Sequence, residues 1–163
     1  MLKYVNTAIT FAEFPDEISL LINISNCPCH CEGCHSAYLA EDIGEPLDYI
    51  ALTKIIIDSN KGITCVGLMG GDSDPEWIDK LAEFIKTSSE LKVGWYSGRN
   101  YLPSEIDIKF FDYIKLGPYI KEYGGLQSPS TNQHLYQIEK IDNKYIDGVY
   151  GIKEIKLYAN SII

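Results

Sequence analysis

The sequence predicts an α/β fold built around a parallel sheet. Short apolar runs that suit buried strands alternate with segments in which apolar residues recur at helical spacing. The clearest helix follows Asp74, which can cap it, with Pro75 in the first turn. A chain of 163 residues has the length of one domain, so we expect residues 1–163 to form a single unit.

The elements are expected in the following order along the chain. Strands are predicted at Ile18–Ser25, Ile63–Met69, Leu91–Tyr96 and Asp112–Leu116. Helices are predicted at Leu47–Asp58, with Pro46 near the start, and from Asp74 through Trp77, Ile78, Leu81, Phe84 and Ile85. Residues 117–133 are rich in Gly, Pro, Ser and Asn, and strands at His134–Lys140 and Glu154–Tyr158 follow them. Since sites in parallel sheets lie beyond the carboxyl ends of the strands, we expect the functional residues to lie in the loops that follow the first three strands.

The charge and the cysteine content narrow the class of protein. A formal charge of −9 would repel a phosphate backbone, so we expect no nucleic-acid partner. The start of the chain lacks the pattern of a secretory signal, and no apolar run approaches the length of a membrane span. We therefore expect a cytoplasmic protein that does not enter membranes. Four of five cysteines lie between Cys27 and Cys34, which in a reducing compartment favours metal binding over disulfides.

The cysteine loop reads Cys-Pro-Cys-His-Cys-Glu-Gly-Cys from position 27. Cys27, Cys31 and Cys34 form a C-x3-C-x2-C pattern, in which three thiolates can hold three irons of a [4Fe-4S] cluster and leave the fourth iron open. Cys29 allows a second interpretation, in which four cysteines hold zinc or a closed electron-transfer cluster. His30 and His35 are either further ligands or ordinary loop residues.

The C-x3-C-x2-C pattern after an early strand resembles the signature of the radical S-adenosylmethionine superfamily. In that family the reduced cluster cleaves S-adenosylmethionine, and the resulting 5'-deoxyadenosyl radical abstracts hydrogen. Gly70, Gly71 and Asp72 resemble the family loop that binds the amino group of S-adenosylmethionine. The Tyr-Ser-Gly-Arg sequence after the third strand resembles a Tyr-Thr-Gly element, which implies that Ser97 and Arg99 bind the cofactor, unless Arg99 is only a solvated cation.

Three further motifs resemble the activating proteins of anaerobic ribonucleoside-triphosphate reductases. They are Cys-x-Gly-Cys-His at the end of the cysteine loop, Gly-Pro-Tyr from Gly117, and Ser-Thr-Asn-Gln from Ser130. The resemblance implies that His35 and Asn132 also belong to the cofactor site. Leu116 stands where that family has an acid and His134 where it has an arginine, so the roles of those two side chains do not carry over.

The resemblance implies an incomplete TIM-like β/α barrel and an enzyme with a [4Fe-4S] cluster and S-adenosylmethionine as cofactors. The implied reaction places a glycyl radical on the large subunit of an anaerobic ribonucleotide reductase, with flavodoxin or another low-potential reductant as electron donor. Two alternatives remain: an activase for another glycyl-radical enzyme such as pyruvate formate-lyase, and a non-catalytic iron–sulfur or zinc module for electron transfer or interaction.

Overall fold

The structure, a computed structural model, describes residues 1–59, 62–141 and 148–157. The strands are Lys3–Thr10 (β1), Ser19–Ile24 (β2), Glu45–Pro46 (β3), Cys65–Met69 (β4), Lys92–Tyr96 (β5), Tyr113–Leu116 (β6), His134–Ile141 (β7) and Val149–Ile155 (β8). The α-helices are Tyr49–Asp58 (α1) and Pro75–Ser88 (α2), and short 3-10 helices span Ala37–Ala40 and Ile108–Phe110. The eight strands form one mixed sheet in the order β3-β1-β2-β4-β5-β6-β7-β8.

The expectation of an incomplete TIM-like β/α barrel is wrong. Four strands, β2, β4, β5 and β6, run parallel to one another. Strand β1 pairs antiparallel with β2, and β7 pairs antiparallel with both β6 and β8. A β/α barrel needs a helical crossover after each strand, and the described residues contain only two α-helices. Helices α1 and α2 serve the crossovers from β2 to β4 and from β4 to β5, and the crossover from β5 to β6 contains the 3-10 helix Ile108–Phe110. The other strands, β1, β3, β7 and β8, extend the sheet with antiparallel pairs.

Most of the predicted elements are confirmed with small shifts at their ends. The four central strands and β7 lie where their apolar runs predict them, and α2 begins at Pro75 with the Asp74 carboxylate accepting from the Trp77 amide. Helix α1 begins at Tyr49, later than predicted, because Asp48 caps it and Pro46 belongs to β3. Neither α-helix in the described part of the chain has the length and apolar composition that crossing a bilayer requires.

The two ends of the sheet depart further from the prediction. Strand β1 was not predicted, because its sequence is mixed and polar, as suits a strand near the edge of the sheet: none of its eight residues is buried, and four are exposed. Strand β8 covers Val149–Ile155, ahead of the predicted Glu154–Tyr158, and Tyr158 lies outside the described residues.

The two faces of the sheet are covered by different parts of the chain. Helix α2 covers one face with Ile78, Leu81, Ala82 and Ile85, which pack on alternate residues of the central strands. On the opposite face Gly67 and Gly94 lie side by side in β4 and β5, and the Phe14 ring lies over them. No helix covers this second face within the described residues, so the loop between β1 and β2 closes it.

The parallel register determines where the site lies. In β2, β4, β5 and β6 the pairing aligns Asn23 with Met69, Met69 with Tyr96, and Tyr96 with Lys115. These four residues form a row at the carboxyl end of the parallel strands. The loops that follow them therefore leave the sheet at the same edge, which is where sites of parallel sheets lie.

Candidate functional site

A cavity of about 500 Å³ opens at this edge, within the size range of small-molecule sites. All four residues of the aligned row line it. The four cysteines of the loop after β2 line it as well. The other polar or chemically reactive residues in its wall include His35, Asp72, Ser97, Tyr119 and Gln133. The parallel strands thus bring together in space motifs that are far apart in the sequence.

The cysteine loop is held at its entrance by backbone hydrogen bonds. The amides of Asn26 and Cys27 donate to the carbonyls of Glu41 and Leu39, each over 2.9 Å. His30 and Gly33 adopt positive φ angles of 45° and 73°, which turn the loop back on itself. These bonds and turns direct the cysteines toward the cavity while the loop remains partly exposed.

The four cysteines line the same cavity, and two of them also form a compact group with Asp72. All four are half-buried free thiols in the cavity wall. Among the described residues, the one group of three ligand atoms that lie within 4.8 Å of one another combines the sulfurs of Cys27 and Cys29 with a carboxylate oxygen of Asp72. Cys31 and Cys34 are outside that group. The structure therefore places the predicted trio of Cys27, Cys31 and Cys34 on one cavity, and it turns Cys29 inward toward Asp72.

Cys29 is held in a crowded and acidic setting. Its sulfur lies 3.9 Å from Asp72 Oδ2, and a Cβ added at Gly98 would come within 2.5 Å of it. Burial and the neighbouring Asp72 carboxylate raise the pKa of Cys29 to about 12. Without a bound metal, this thiol is protonated at neutral pH.

Asp72 joins the loops after β4 and β5. It is 1% exposed, and its two carboxylate oxygens accept from Ser97 Oγ at 2.5 Å and from the Gly98 amide at 2.9 Å. The preceding Gly71 has φ of +88°, and a Cβ there would lie 2.4 Å from Ile78, so the backbone needs glycine to bring Asp72 into this position. The Asp72 carboxylate lines the cavity and also fixes the shape of its wall.

Three predicted cofactor residues do not line the cavity: Gly71, Arg99 and Asn132. Arg99 instead folds back, donating from Nη2 to the Asp72 carbonyl at 2.7 Å and from Nη1 to the Tyr101 hydroxyl at 2.8 Å. Its Nε lies 3.6 Å from the Asp72 carboxylate. The guanidinium therefore lies outside the cavity and holds Asp72, which is part of the cavity wall.

The motifs around Gly117 and Asn132 meet next to the cavity. Gly117 has φ of +114°, and a Cβ there would lie 2.9 Å from the Asn132 carbonyl oxygen. The Asn132 side-chain amide donates to the Pro118 carbonyl at 2.9 Å. Tyr119 then packs against the cysteine loop, with its ring centroid 5.6 Å from that of His35. Asn132 thus holds the backbone that positions Tyr119.

Lys115 is a site residue that the sequence interpretation missed. It is 7% exposed and lines the cavity, where its ammonium donates to the carbonyls of Gly117 at 2.8 Å and Ser97 at 3.3 Å. Burial lowers its pKa to about 8, although Asp72 and the nearby cysteines oppose that shift. The available signal was a lysine within a short apolar strand, flanked by Ile114 and Leu116.

Comparisons with known proteins do not place the chain in a family. No family model, no curated protein and no solved structure matches it. The cavity and the motifs that line it are therefore the features from which a function can be inferred.

Proposed function

We propose that this protein is a radical S-adenosylmethionine enzyme that activates a glycyl-radical enzyme, with an anaerobic ribonucleotide reductase as its substrate protein. The observation that carries the proposal is the shared cavity of the cysteine loop, the Gly-Gly-Asp loop and the Tyr-Ser-Gly loop. These three motifs are separated by up to 71 residues, from Cys27 to Gly98, yet they line one space of about 500 Å³. The proposal does not depend on a β/α barrel.

The residues present fit a three-thiolate [4Fe-4S] cluster. Cys27, Cys31 and Cys34 are free, half-buried and directed to one cavity, and iron–sulfur clusters in proteins are held by such thiolates. In a [4Fe-4S] cubane each thiolate binds a different iron, so the three sulfurs lie farther apart than the ligands of a single ion do. The three cysteines of the trio do not form a group of ligand atoms within 4.8 Å, which agrees with this wider spacing. When bound, the cluster would supply the electron that cleaves S-adenosylmethionine.

The surrounding residues would position the nucleotide and shield it from water. Gly70, where φ is +96°, and Gly98 are part of the cavity wall, and the absence of a side chain at Gly98 makes room for the Cys29 sulfur. Asp72 and Lys115 supply opposite charges within a mostly buried wall. Leu126 and Leu157 add apolar surface to the lining of the cavity.

The assignment to ribonucleotide reductase activation rests on the resemblance of the loop motifs. Gly33 is the small residue of Cys-x-Gly-Cys-His, and an added Cβ would lie 3.7 Å from the Tyr119 ring. The Gly-Pro-Tyr and Asn-Gln motifs of the same resemblance are in contact through Gly117 and Asn132. Motifs that were separate in the sequence therefore support one another at the site.

A second candidate function is a single-metal centre at Cys27, Cys29 and Asp72. The close approach of their three ligand atoms within 4.8 Å favours it, because a lone zinc ion binds sulfur and oxygen ligands at about 2.0–2.3 Å. In this alternative the protein is a metal-binding module, and Cys31 and Cys34 have no essential role.

The two candidates differ in the cysteine that each requires. We expect Cys31→Ala to lose most of the cluster after anaerobic reconstitution with iron and sulfide, and Cys29→Ala to retain it. Iron and sulfide content, the visible absorption spectrum and the 5'-deoxyadenosine formed from S-adenosylmethionine would be measured. Cys65→Ala is the matched control, because Cys65 is a buried strand residue outside the cavity wall. Loss of all metal from Cys29→Ala together with full metal in Cys31→Ala would favour the single-metal centre.

The substrate protein is tested separately. The reduced, reconstituted protein would be mixed with S-adenosylmethionine and either an anaerobic ribonucleotide reductase large subunit or pyruvate formate-lyase. We expect a glycyl-radical EPR signal with the reductase. A signal with pyruvate formate-lyase alone would keep the chemistry and reassign the partner.

A further inference from the structure

Strand β1 leaves most of one side of its backbone without a neighbouring strand. Its inner side pairs with β2, whereas on its outer side β3 pairs only with Lys3 and Tyr4. Among the described residues no strand lies against residues 5–10 on this outer side. An open edge of this kind presents amide and carbonyl groups that a further strand can bind.

The open edge lacks the features by which soluble proteins usually protect a sheet edge. Those features include charged side chains and prolines. Residues 5–12 contain neither, although the whole chain has 23 acidic and 14 basic residues. The irregularity between Tyr4 and Asn6 lies where the pairing with β3 ends, and the register with β2 is regular from Asn6 to Thr10. At the opposite end of the sheet, by contrast, β8 carries Lys153 and Glu154.

The same stretch exposes apolar side chains. Residues 6–9 are all exposed, although they form part of a strand. Ile9 is 40% exposed, and Phe11, which directly follows β1, is 75% exposed. A strand added at this edge would therefore gain apolar burial together with its backbone hydrogen bonds.

A second copy of the stretch matches this edge in length and direction. Two identical edge strands can pair antiparallel about a two-fold axis, which is the commonest symmetry of protein dimers. Residues 5–11 are centred on Ala8, so the axis would pass between the two copies of Ala8 and place Thr7 opposite Ile9 of the other copy. Alanine has the smallest side chain in this stretch, so two of them fit face to face at the axis.

The charges on either side of the stretch are complementary as well. Lys3 precedes Ala8 by five residues, and Glu13 follows it by five. Antiparallel pairing about Ala8 brings the Lys3 cation of each copy level with the Glu13 carboxylate of the other. Glu13 forms no ion pair in the part of the chain that the structure describes, and Lys3 has only an exposed contact with Asp42.

We propose that the outer edge of β1 is a homodimer interface, in which residues 5–11 of two copies pair antiparallel about a two-fold axis at Ala8. The pairing joins two eight-stranded sheets into one continuous sheet. This interface goes beyond the proposed function and does not depend on it. One strand pair buries less than about 1,200 Å², the lower end for stable interfaces, so we expect a dissociation constant of about 1–100 μM.

The test compares two double variants of the full chain that place different charges across the axis. Thr7→Lys with Ile9→Lys puts like charges opposite each other at both equivalent pairs, whereas Thr7→Lys with Ile9→Glu puts opposite charges there. Sedimentation velocity in the presence of a phosphine reductant, which excludes disulfide-linked dimers, would measure the dissociation constants. We expect the variant with two lysines to dimerise at least about tenfold more weakly than the variant with lysine and glutamate, although it lowers the net negative charge.

The control is Ile152→Lys, which adds a cation to β8 at a residue that is 57% exposed. It should dimerise as the wild type does, and circular dichroism would show whether each variant keeps its fold. A wild-type chain that stays monomeric up to about 200 μM would overturn the proposal and leave the edge to a strand of a different protein. Equal dissociation constants for the two double variants would show that the dimer uses another surface. Weakening by Ile152→Lys alone would place the interface at β8 instead.

Discussion

Asp72 is the residue on which the geometry of two site loops depends. Its carboxylate is almost completely buried and accepts from Ser97 Oγ and the Gly98 amide, while Arg99 lies against it from behind. A buried carboxylate is stable only when its oxygens are bonded to donors or faced by cations. Its removal would leave several donors without an acceptor.

We therefore expect Asp72→Ala to lower the free energy of unfolding by about 2–3 kcal/mol, because several buried donors lose their acceptor. Urea denaturation followed by circular dichroism would measure it. The control is Asp42→Ala, where an exposed carboxylate pairs with Lys3 at the surface and the expected loss is at most about 1 kcal/mol. Equal losses in the two variants would contradict the role assigned to Asp72.

At the scale of elements, the pair Gly67 and Gly94 decides how the sheet closes on its helix-free face. The two glycines are register partners in β4 and β5, and the Phe14 ring occupies the space that their missing side chains leave. Phe14 also stacks on Tyr113 of β6 with ring centroids 5.1 Å apart. Glycine within a strand weakens it, and here close approach of an aromatic ring compensates.

Gly94→Ala should destabilise the protein by about 1–3 kcal/mol, since the new Cβ would lie 2.1 Å from the Phe14 ring and the core would be overpacked. The second variant, Phe14→Leu with Gly94→Ala, should be more stable than the sum of the single effects predicts. Strictly additive losses in this double-mutant cycle would contradict the packing argument. Gly125→Ala, where no atom lies within 4 Å of the added carbon, is the control.

At the scale of the whole molecule, the two ends of the parallel strands have different roles. The carboxyl end carries the cavity, and the opposite end is closed by a polar network around Glu17. Its carboxylate accepts from Thr64 at 2.6 Å and from Tyr113 at 3.0 Å, and it pairs with Lys92. The network connects the loop before β2 to β4, β5 and β6, so it supports the strands whose other ends build the site.

This network predicts a loss of stability in acid. Burial raises the pKa of Glu17, but hydrogen bonds from Lys92, Thr64 and Tyr113 lower it by more, so its pKa lies below the ordinary value of 4.5. Because the folded-state pKa is depressed, the stabilisation is complete above pH 4.5 and is lost as the pH falls through the folded-state value. Thermal unfolding between about pH 6 and pH 3 should show a smaller acid-induced drop for Glu17→Gln than for the wild type. The exposed Glu90→Gln should follow the wild-type curve, and a parallel curve for Glu17→Gln would argue against the network.

The amino-acid sequence by itself determined the order of the central strands and helices and the loops that carry the chemistry. Local signals were sufficient there: apolar runs define β2, β4 and β5, and Asp74 with Pro75 starts α2. The presence of cysteines and glycines at the strand ends was equally local. The metal trio and the identity of the cofactors stay predictions from pattern and resemblance.

Only the tertiary structure decided the direction of the outer strands and the orientation of the charged side chains. Strand β1 pairs antiparallel at one side, and β7 and β8 at the other, through contacts that no local pattern encodes. Lys115 and Arg99 are both cations near strand ends, and the choice between them depends on neighbours from other strands. The carbonyls of Ser97 and Gly117 accept hydrogen bonds from Lys115 and hold it in the cavity wall. The Asp72 carbonyl accepts from Arg99 and holds that side chain outside the cavity. Strand pairing and burial depend on contacts between distant parts of the chain. For that reason the sequence alone could not show that Lys115 lines the cavity and Arg99 does not.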